Sequence, residues 1–518
     1  DVERSRGLGD VYKRQMKTIK LKSSYLLSTA LFLSLVVTSC DLNEIPTSFV
    51  EPKDYYQSKE QCEAGLNACY IPLNPIFNYT YLIAMEGCTD LMYVASGTHD
   101  AQLAISPANP LFGSTMWTQG YKGVMYANSV VAGIQRAPLA DGVKLPMLAE
   151  GMVMRAFYYY FLTSTFGDVP FYTDDVTDEV VLERVSHLGR MPAKDTRDYL
   201  IRELQEYVPL MAQVRSCDVE NNRCGAAMGW MLIAKMAMWN KQWETARDAI
   251  LELEKIYGDL SQYDYADVMF RNKNTPESIF EIQHTYSVTG LKYTSSIAAI
   301  CMPKRDKDDI YDGLRIPELG NQATTWTSLR PNTYYFASLQ PKDGTDIRTK
   351  YNLAWEYDGL PFNSTAAAGA RPWMGPKFWC PEMVNIADHN NTKVFRYADA
   401  ILMMAECYLE LDDTDNAMRY LNMVKDRAQI ARYETFKNYD HLHEEIERER
   451  ARELFGEFQR KYDLVRWGSW YRQTFDYTDY KSLQDNILPC HEYYPIPDKE
   501  VTYSGNALDN DAYAEWGL

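Results

Sequence analysis

Two widely separated segments of this 518-residue chain share one spacing of large and small apolar residues. The first segment has Ala234 directly after Ile233, and a second alanine, Ala246, comes twelve residues after Ala234. In the second, Ala405 is followed, again after twelve residues, by Ala417. Apolar residues at intervals of three and four surround these alanines, which is the periodicity of a helix. Because small side chains let two antiparallel helices approach closely, each segment predicts a helical hairpin.

The residues between the paired alanines agree with this interpretation. Polar turns lie at 240–242 and at 412–415, where a helical hairpin must reverse direction. The acidic residues of the second turn lack the spacing and the closing glutamate of an EF-hand, which favours a turn over a calcium site. The spacing of the alanines is that of tetratricopeptide repeats. Together with amphipathic patterns at 149–166 and 193–211, it predicts a mostly α fold, a tetratricopeptide-like helical superhelix.

The helical pattern is interrupted at about 287–391, where glycine, proline, threonine, tryptophan and tyrosine are frequent and long helical periodicity is absent. We predict that this region is a large loop-rich insertion packed on the helical scaffold. A second loop-rich stretch spans 89–116. Because binding residues are often carried by loops on a rigid scaffold, we expect the two stretches to meet on one face and to form the binding site.

The composition excludes several classes of protein. Apolar residues make up 46% of the chain and charged residues 24%, which is typical of a globular protein and not of a disordered, collagenous or polytopic membrane protein. The formal net charge of −18 repels nucleic acid, so we expect no nucleic-acid partner.

The first fifty residues divide into three parts. Residues 10–15 look like a translated sequencing adapter, so residues 1–15 are interpreted as a non-native leader. Residues 16–39 combine a basic start with a short apolar stretch, as a signal peptide does. This segment ends in VTSC at 37–40, which resembles a lipobox and predicts cleavage before Cys40 and lipidation of that residue; a plain signal peptide is the alternative. Residues 40–50 would then form a lipid-anchored tether, and 51–518 a single domain.

The cysteine spacing indicates neither a zinc ribbon nor a redox motif, because the ten cysteines include no C-x-x-C pair. Cys217 and Cys224 flank a polar loop and could form a disulfide. Cys407 lies in an apolar helical segment and is interpreted as a small core residue.

The sequence also lacks the common catalytic motifs. His443 and Glu444 have no second histidine at position 447, and no G-x-S-x-G, Walker or dinucleotide-binding loop is present. The paired carboxylates of a glycoside hydrolase stay open as an alternative. However, the charged run 444–452 is interpreted as one face of a helix, and Asp346 with Arg348 as an ion pair that fixes a loop. We therefore predict no catalytic residue, no metal site and no cofactor.

Several blocks of sequence, in order along most of the chain, resemble one known family. The blocks are RAFYY at 155–159, FGDVP at 166–170, FRYADA at 395–400, LNMVKDRA at 421–428, ERAREL at 449–454, DLVRWG at 463–468 and YPIP at 494–497. Together with the lipobox, they resemble the SusD/RagB family of outer-membrane nutrient-binding lipoproteins.

The resemblance implies a fold, a location and a function. SusD-like proteins are helical superhelices with tetratricopeptide-like pairs, and they cover a SusC-like TonB-dependent transporter at the surface of Gram-negative bacteria. This implies a surface-exposed, lipid-anchored protein of the cell outer membrane that binds an oligosaccharide or polysaccharide and delivers it to such a transporter without catalysis. A peptide-binding RagB-type uptake lipoprotein is the alternative within the family. A glycoside hydrolase and a protein-assembly scaffold are the alternatives outside it.

Glycan recognition favours exposed flat rings in loops, which cover the apolar C–H face of a sugar, beside polar groups that bind its hydroxyls. The candidate ligand-binding residues that we select on this basis are Tyr93, His99, Asp100, Trp326, Arg330, Trp355 and Trp373. Further candidates nearby are Asn332, Tyr334 and Tyr335. The alternative is that each ring fills a small core within the insertion. By contrast, the tyrosine run at 158–160 lies in a predicted helix and is interpreted as packing.

Overall fold

The structure, a computed structural model, describes residues 55–95, 100–287, 290, 293–302, 310–311, 314–315, 325–326, 328–342, 344–357, 360–361 and 371–518. The predicted leader, signal peptide and tether lie outside the described residues, and so do Cys40 and His99. The residues from Tyr55 to Leu518 belong to one compact unit.

Helices dominate the described residues. In chain order they are α1 (Lys59–Ala68), α2 (Leu73–Ile76), α3 (Tyr79–Met85), α4 (Phe112–Arg136), α5 (Asp141–Phe166), α6 (Glu179–Ser186), α7 (Ala193–Tyr207), α8 (Ala226–Trp239), α9 (Trp243–Tyr257), α10 (Ile297–Cys301), α11 (Thr349–Asn352), α12 (Tyr397–Glu410), α13 (Thr414–Arg427), α14 (Tyr439–Glu453), α15 (Arg460–Arg466), α16 (Trp470–Tyr477), α17 (Lys481–Asn486), α18 (Asp498–Tyr503) and α19 (Asp511–Ala514). The predicted mostly α fold is confirmed.

The strands are short and form two-stranded antiparallel sheets. They are β1 (Met92–Val94), β2 (Ser278–Ile282), β3 (Ile310–Tyr311), β4 (Leu314–Arg315), β5 (Leu329–Pro331), β6 (Leu353–Ala354), β7 (Glu356–Tyr357), β8 (Leu360–Pro361), β9 (Trp373–Met374) and β10 (Thr392–Arg396). The pairs are β1 with β5, β2 with β10, β3 with β4, β6 with β9, and β7 with β8. Seven of them, β3 to β9, lie within residues 287–391, the region predicted as a loop-rich insertion.

The two helical hairpins that the alanine spacing predicts are present. Helices α8 and α9 are joined by a tight turn in which Lys241 has a φ of 57°. Between α12 and α13, Asp413 caps the second helix by accepting a hydrogen bond from the backbone N–H of Asn416. Ala405 and Ala417 are fully buried, and α12 packs against α13, as expected of helices that approach closely.

Helix α5 lies at the centre of the packing and is buried on every side from Met147 to its end. The hydroxyl of Tyr158 donates a hydrogen bond to the carbonyl of Cys69 at 2.6 Å. Gly123 of α4 provides the space for the Tyr158 ring, because a methyl group at that glycine would lie 2.3 Å from it. All three tyrosines at 158–160 are buried, so their interpretation as packing residues is confirmed.

The cysteines of the described residues, from Cys62 to Cys490, are all free thiols. The disulfide considered between Cys217 and Cys224 is therefore wrong. Cys224 is buried, with its sulfur 4.0 Å from the carbonyl oxygen of Glu150. Cys407 is a buried core residue, as predicted.

A network of buried charges joins the insertion to the helices. Glu453 on α14 forms ion pairs with three arginines, Arg348, Arg396 and Arg427. Arg348 lies in the insertion and also binds Asp346 at 2.7 Å, which confirms the predicted loop-fixing pair. Burial alone would raise the pKa of Glu453, but the three guanidinium groups lower it well below its usual value.

The charged run 444–452 forms part of α14, as predicted, and Glu444 lies 3.5 Å from Arg448 one turn away. The second half of this helix is not a solvated surface, however. Arg450 is buried, and it binds Asp399 at 2.9 Å and Asp463 at 2.7 Å. Charge alone did not reveal this burial, because buried and exposed ion pairs have the same residue types.

Replacing Ala405 with leucine should destabilise the protein by roughly 1–3 kcal/mol, because the added carbons would overpack the contact between α12 and α13. The thermal denaturation midpoint measures this effect. Ala512→Leu is the control, since Ala512 is exposed on α19. Equal midpoints for the two variants would contradict the assigned helix contact.

Replacing Arg348 with methionine should destabilise the protein by about 3–5 kcal/mol, because it leaves buried carboxylates without their partner. Urea denaturation measures the loss. Arg472→Met is the matched control, since that exposed arginine forms a 3.7 Å surface pair with Asp476, and surface pairs contribute little. A shift no larger than that of the control would show that the network does not stabilise the insertion.

Candidate ligand-binding site

The two loop-rich stretches of the sequence meet in the structure, as predicted. Strand β1 from the first stretch pairs with β5 from the second, and Tyr93 lies opposite Arg330 in this register. The ladder continues beyond the strands, since the N–H of Ala95 donates to the carbonyl of Ser328 at 2.7 Å. Two segments more than two hundred positions apart therefore form one surface.

Arg330 and Trp373 form a cation–π pair next to this ladder. The guanidinium carbon of Arg330 lies 4.5 Å from the centroid of the Trp373 ring, within the range of a favourable contact. Trp373 is half-buried on β9. The pair thus presents a flat ring and a fixed cation side by side, which are two of the groups that the sequence analysis selected.

Tyr93 stacks on a residue that the sequence analysis did not select. Its ring lies 6.1 Å from that of Tyr480, with 24° between the planes. Tyr93 is 8% exposed. The hydroxyl of Tyr480 accepts a hydrogen bond from the amide of Gln102 at 3.0 Å. The Tyr93 ring is therefore more enclosed than a loop position suggested.

A second ring pair lies four residues after Arg330. Tyr334 stacks on Tyr477 with 4.0 Å between the ring centroids and 18° between the planes. Tyr477 is 41% exposed at the end of α16. The pKa of Tyr334 is raised, first by burial and then by the charge of Asp90. This pair offers the flat exposed face that a sugar ring or an apolar side chain can cover.

The loop after α16 holds the ring pairs in place. The carboxylate of Asp479 accepts hydrogen bonds from the backbone N–H of Thr333 at 2.7 Å and from its hydroxyl at 2.8 Å. The same oxygen binds the guanidinium of Arg371 at 3.1 Å. The backbone N–H of Asp479 donates to Asn332, whose own amide donates to the carbonyl of Thr89. These bonds connect α16 to both loop-rich stretches.

We call the group formed by Tyr93, Arg330, Tyr334, Trp373, Tyr477 and Tyr480 the aromatic site. The residues that α16 and its following loop contribute were not predicted. A signal was present, because the short helix WYRQTFDY carries Tyr471, Phe475 and Tyr477, each of them well exposed in the structure. Exposed aromatic residues on a short surface helix favour a binding surface.

Trp326 lies against α3 and α10. It is 39% exposed, and its ring makes an edge contact with Tyr79 of α3 at 4.8 Å. Its backbone N–H donates to the carbonyl of Ala299 at 2.7 Å. The exposure predicted for this tryptophan is confirmed, and whether it binds a ligand stays a prediction.

Two other selected residues are buried, which corrects the expectation that they face solvent. Trp355 is 8% exposed and packs edge-on against Phe336 at 5.8 Å. Asp100 is 9% exposed, and it accepts hydrogen bonds from the N–H of Phe112 and from the hydroxyl of Tyr494 at 3.1 Å. Both side chains therefore belong to the buried contacts that hold the two loop-rich stretches in place. Their role in binding stays untested, as does that of His99.

A separate cavity of about 320 Å³ lies on another part of the unit. Its polar lining includes Asn67, Asn74, Asn222, Arg223 and Gln283. Amide groups of this kind can bind hydroxyls, but the cavity lacks the stacked ring pairs of the aromatic site.

No helix within the described residues is both long enough and apolar enough to cross a membrane.

Comparison with known proteins gives two family matches at different ends of the chain. The model of the SusD family matches residues 383–513. A SusD-like model described as "Starch-binding associating with outer membrane" matches residues 91–202. The first match covers α12 to α19, and the second covers β1 to most of α7.

Individual relatives align with most of the chain. A SusD-like protein, P25 of Formosa agariphila, is 26% identical over 93% of this chain and 97% of its own. Among solved structures, a SusD superfamily protein from Bacteroides vulgatus has a TM-score of 0.69 at 19% identity, covering 88% of this chain and 99% of its own. The surface glycan-binding protein A of Bacteroides thetaiotaomicron, solved in complex with laminarihexaose, has a TM-score of 0.68 at 20% identity, with the same coverage.

These solved structures share the helical architecture described above, and the predicted tetratricopeptide-like superhelix is confirmed. The family matches lie on either side of the insertion, and P25 aligns through the insertion as well. The two family matches, the relatives that align with nearly the whole chain and the shared fold together support a SusD-like family member.

Proposed function

We propose that this protein binds an oligosaccharide at the aromatic site and delivers it to a SusC-like TonB-dependent transporter of the outer membrane. The observation that carries the proposal is the pair of ring surfaces at Tyr334–Tyr477 and at Trp373, beside the cation of Arg330. The similarity in fold to a surface glycan-binding protein that was solved in complex with laminarihexaose supports it. So does the match of residues 91–202 to a SusD-like family that is described as starch-binding and associated with the outer membrane.

The proposed mechanism is binding without a covalent step. The apolar C–H face of a sugar ring would cover the exposed Tyr477 ring or the Trp373 ring, which removes apolar surface from water. The guanidinium of Arg330 would donate hydrogen bonds to sugar hydroxyls. The Asp479–Thr333 contacts keep the rings at fixed positions before the ligand arrives, and this lowers the entropy cost of binding.

We further propose that the protein is held at the outer surface of the outer membrane by lipid on Cys40. Acyl chains anchor a protein without a membrane-spanning helix. A lipid-anchored position at the cell surface would keep the aromatic site near the transporter that receives the ligand. A peptide-binding uptake protein of the same family and a glycoside hydrolase are the competing functions, and the ligand screen below separates them.

Tyr477→Ala and Trp373→Ala should each weaken oligosaccharide binding about 5- to 30-fold, because a lost stacked ring removes roughly 1–2 kcal/mol. Isothermal titration calorimetry with laminarihexaose, maltohexaose and a panel of other oligosaccharides measures this change. Trp516→Ala is the matched control, since its ring is exposed and lies outside the aromatic site.

The thermal denaturation midpoint of each variant is measured alongside, so that unfolding is not mistaken for lost binding. Normal binding by both variants would show that the ligand binds elsewhere. Binding of peptides but not of oligosaccharides by the unchanged protein would favour the peptide-uptake function. Release of shorter sugars during the titration would favour the hydrolase.

Cys40→Ala should leave the protein folded but release it from the outer membrane, because the acyl chains would be absent. Immunoblotting of alkaline-washed membrane and soluble fractions measures the distribution. Cys217→Ser is the control, since that partly exposed cysteine belongs to the folded unit and lies far from the predicted lipobox in the sequence. Full membrane retention of Cys40→Ala in cells that lack the transporter would contradict the anchoring proposal.

A further inference from the structure

Three side chains with metal-binding atoms converge at the end of the insertion, just before β10. They are Cys380, Glu382 and His389, whose sulfur, carboxylate and ring-nitrogen atoms all lie within 4.8 Å of one another. The sulfur of Cys380 lies 3.9 Å from a carboxylate oxygen of Glu382. At a tetrahedral zinc ion, with Zn–S of about 2.3 Å and Zn–O of about 2.1 Å, these two atoms would be about 3.6 Å apart. The observed separation is therefore close to that of ligands on one ion.

A tight turn brings Glu382 and His389 together. Val384 and Ala387 exchange backbone hydrogen bonds of 2.8 and 2.9 Å. Asn385, within this turn, has a φ of 53°, a left-handed conformation that asparagine tolerates better than most residues. Glu382 and His389 lie on either side of the turn, Glu382 exposed and His389 half-buried. The turn therefore brings their backbones towards each other.

Hydrogen bonds of Tyr286 and Asp388 hold this turn in place. The hydroxyl of Tyr286 donates to the carbonyl of Ala387 at 2.8 Å, and its ring contacts the ring of His389 edge-on at 4.9 Å. The buried carboxylate of Asp388 accepts hydrogen bonds from the N–H of Ala298 at 2.8 Å and from the N–H of Asn390 at 3.1 Å. The backbone of His389 is therefore fixed between α10 and β10, as ligand residues in metal sites commonly are.

The buried thiol has the surroundings of a metal ligand. Cys380 is fully buried. The backbone N–H groups of Glu382 and His389 face its sulfur, where they would stabilise a thiolate bound to a cation.

The charges around the three residues also suit a dication. Glu382 and a metal-bound thiolate would supply two negative charges. The single positive charge of Lys273 lies near enough to act against them. The ammonium of Lys273 donates a 2.9 Å hydrogen bond to the carbonyl of His284. The sum of these charges is negative, which favours a bound cation.

We propose that Cys380, Glu382 and His389 bind a transition-metal dication of the zinc type, with a fourth position open to water. One sulfur, one nitrogen and one oxygen ligand suit zinc, whereas calcium and magnesium require oxygen ligands. The ion would connect the turn at 384–387 to the buried end of the insertion. Because α10 contacts both Asp388 and the backbone of Trp326, the ion would stiffen the support of that exposed ring.

Cobalt(II) is the probe for the test, because it replaces zinc and reports its ligands by its absorption spectrum. Titration of the reduced, metal-free protein should give a sulfur-to-cobalt charge-transfer band and the visible bands of a tetrahedral site, and both should disappear when zinc is added. Cys380→Ser should remove the charge-transfer band. Glu382→Gln and His389→Gln should each weaken cobalt binding at least about tenfold. Zinc should also raise the thermal denaturation midpoint, since it binds the folded state.

Cys217→Ser and His443→Gln are the matched controls, and both should bind cobalt as the unchanged protein does. Cys217 is the most exposed of the other described thiols, and His443 lies beside Glu447 at 3.1 Å on α14. The proposal is wrong if the unchanged protein shows no charge-transfer band. It is also wrong if the band survives in Cys380→Ser, or if the control variants lose it equally.

Discussion

The carboxylate of Glu453, buried among the guanidinium groups of Arg348, Arg396 and Arg427, is the constraint on which the placement of the insertion depends. Moving an ion out of water costs several kcal/mol, and this cost is offset only when the partners are close and well oriented. Arg348 comes from the insertion, while Glu453 and Arg427 lie on helices of the scaffold. The insertion must therefore dock in one position for the charges to be satisfied, which gives a loop-rich region a defined structure.

That docking determines which rings reach the surface. Tyr335 is buried, donates a hydrogen bond to Gln340 at 2.7 Å and stacks on Phe455 at 3.8 Å, two residues beyond Glu453. Its neighbour Tyr334 begins a π-helical turn and contacts Tyr477 instead. Consecutive tyrosines thus have opposite roles, one in the core and one in the aromatic site. The ion network fixes the segment that holds the Tyr335 ring, and the position of Tyr335 fixes the point from which Tyr334 extends.

Much of the fold could be predicted because its signals are local. Helical periodicity placed α5, α8, α9, α12 and α13, and the spacing of Ala405 and Ala417 predicted which helices pair. The candidate site was predicted less completely. The meeting of the two loop-rich stretches agrees with the pairing of β1 and β5, in which Arg330 lies. Trp373 lies on β9, against Arg330, and the binding role of both residues stays a prediction. Tyr477 and Tyr480 were missed, because they lie about 150 residues from Arg330 in the sequence.

The sequence by itself determined the helical hairpins, their polar turns and the aromatic content of the insertion, since each depends on residue types at short spacing. Only the tertiary structure decided that Trp355 is enclosed and Trp326 exposed, that Asp100 supports a loop, and that Cys380 meets His389. Loops have no period from which burial can be read. Whether a loop ring faces water depends on the segments that pack over it, and these come from distant parts of the chain through contacts that leave no local pattern.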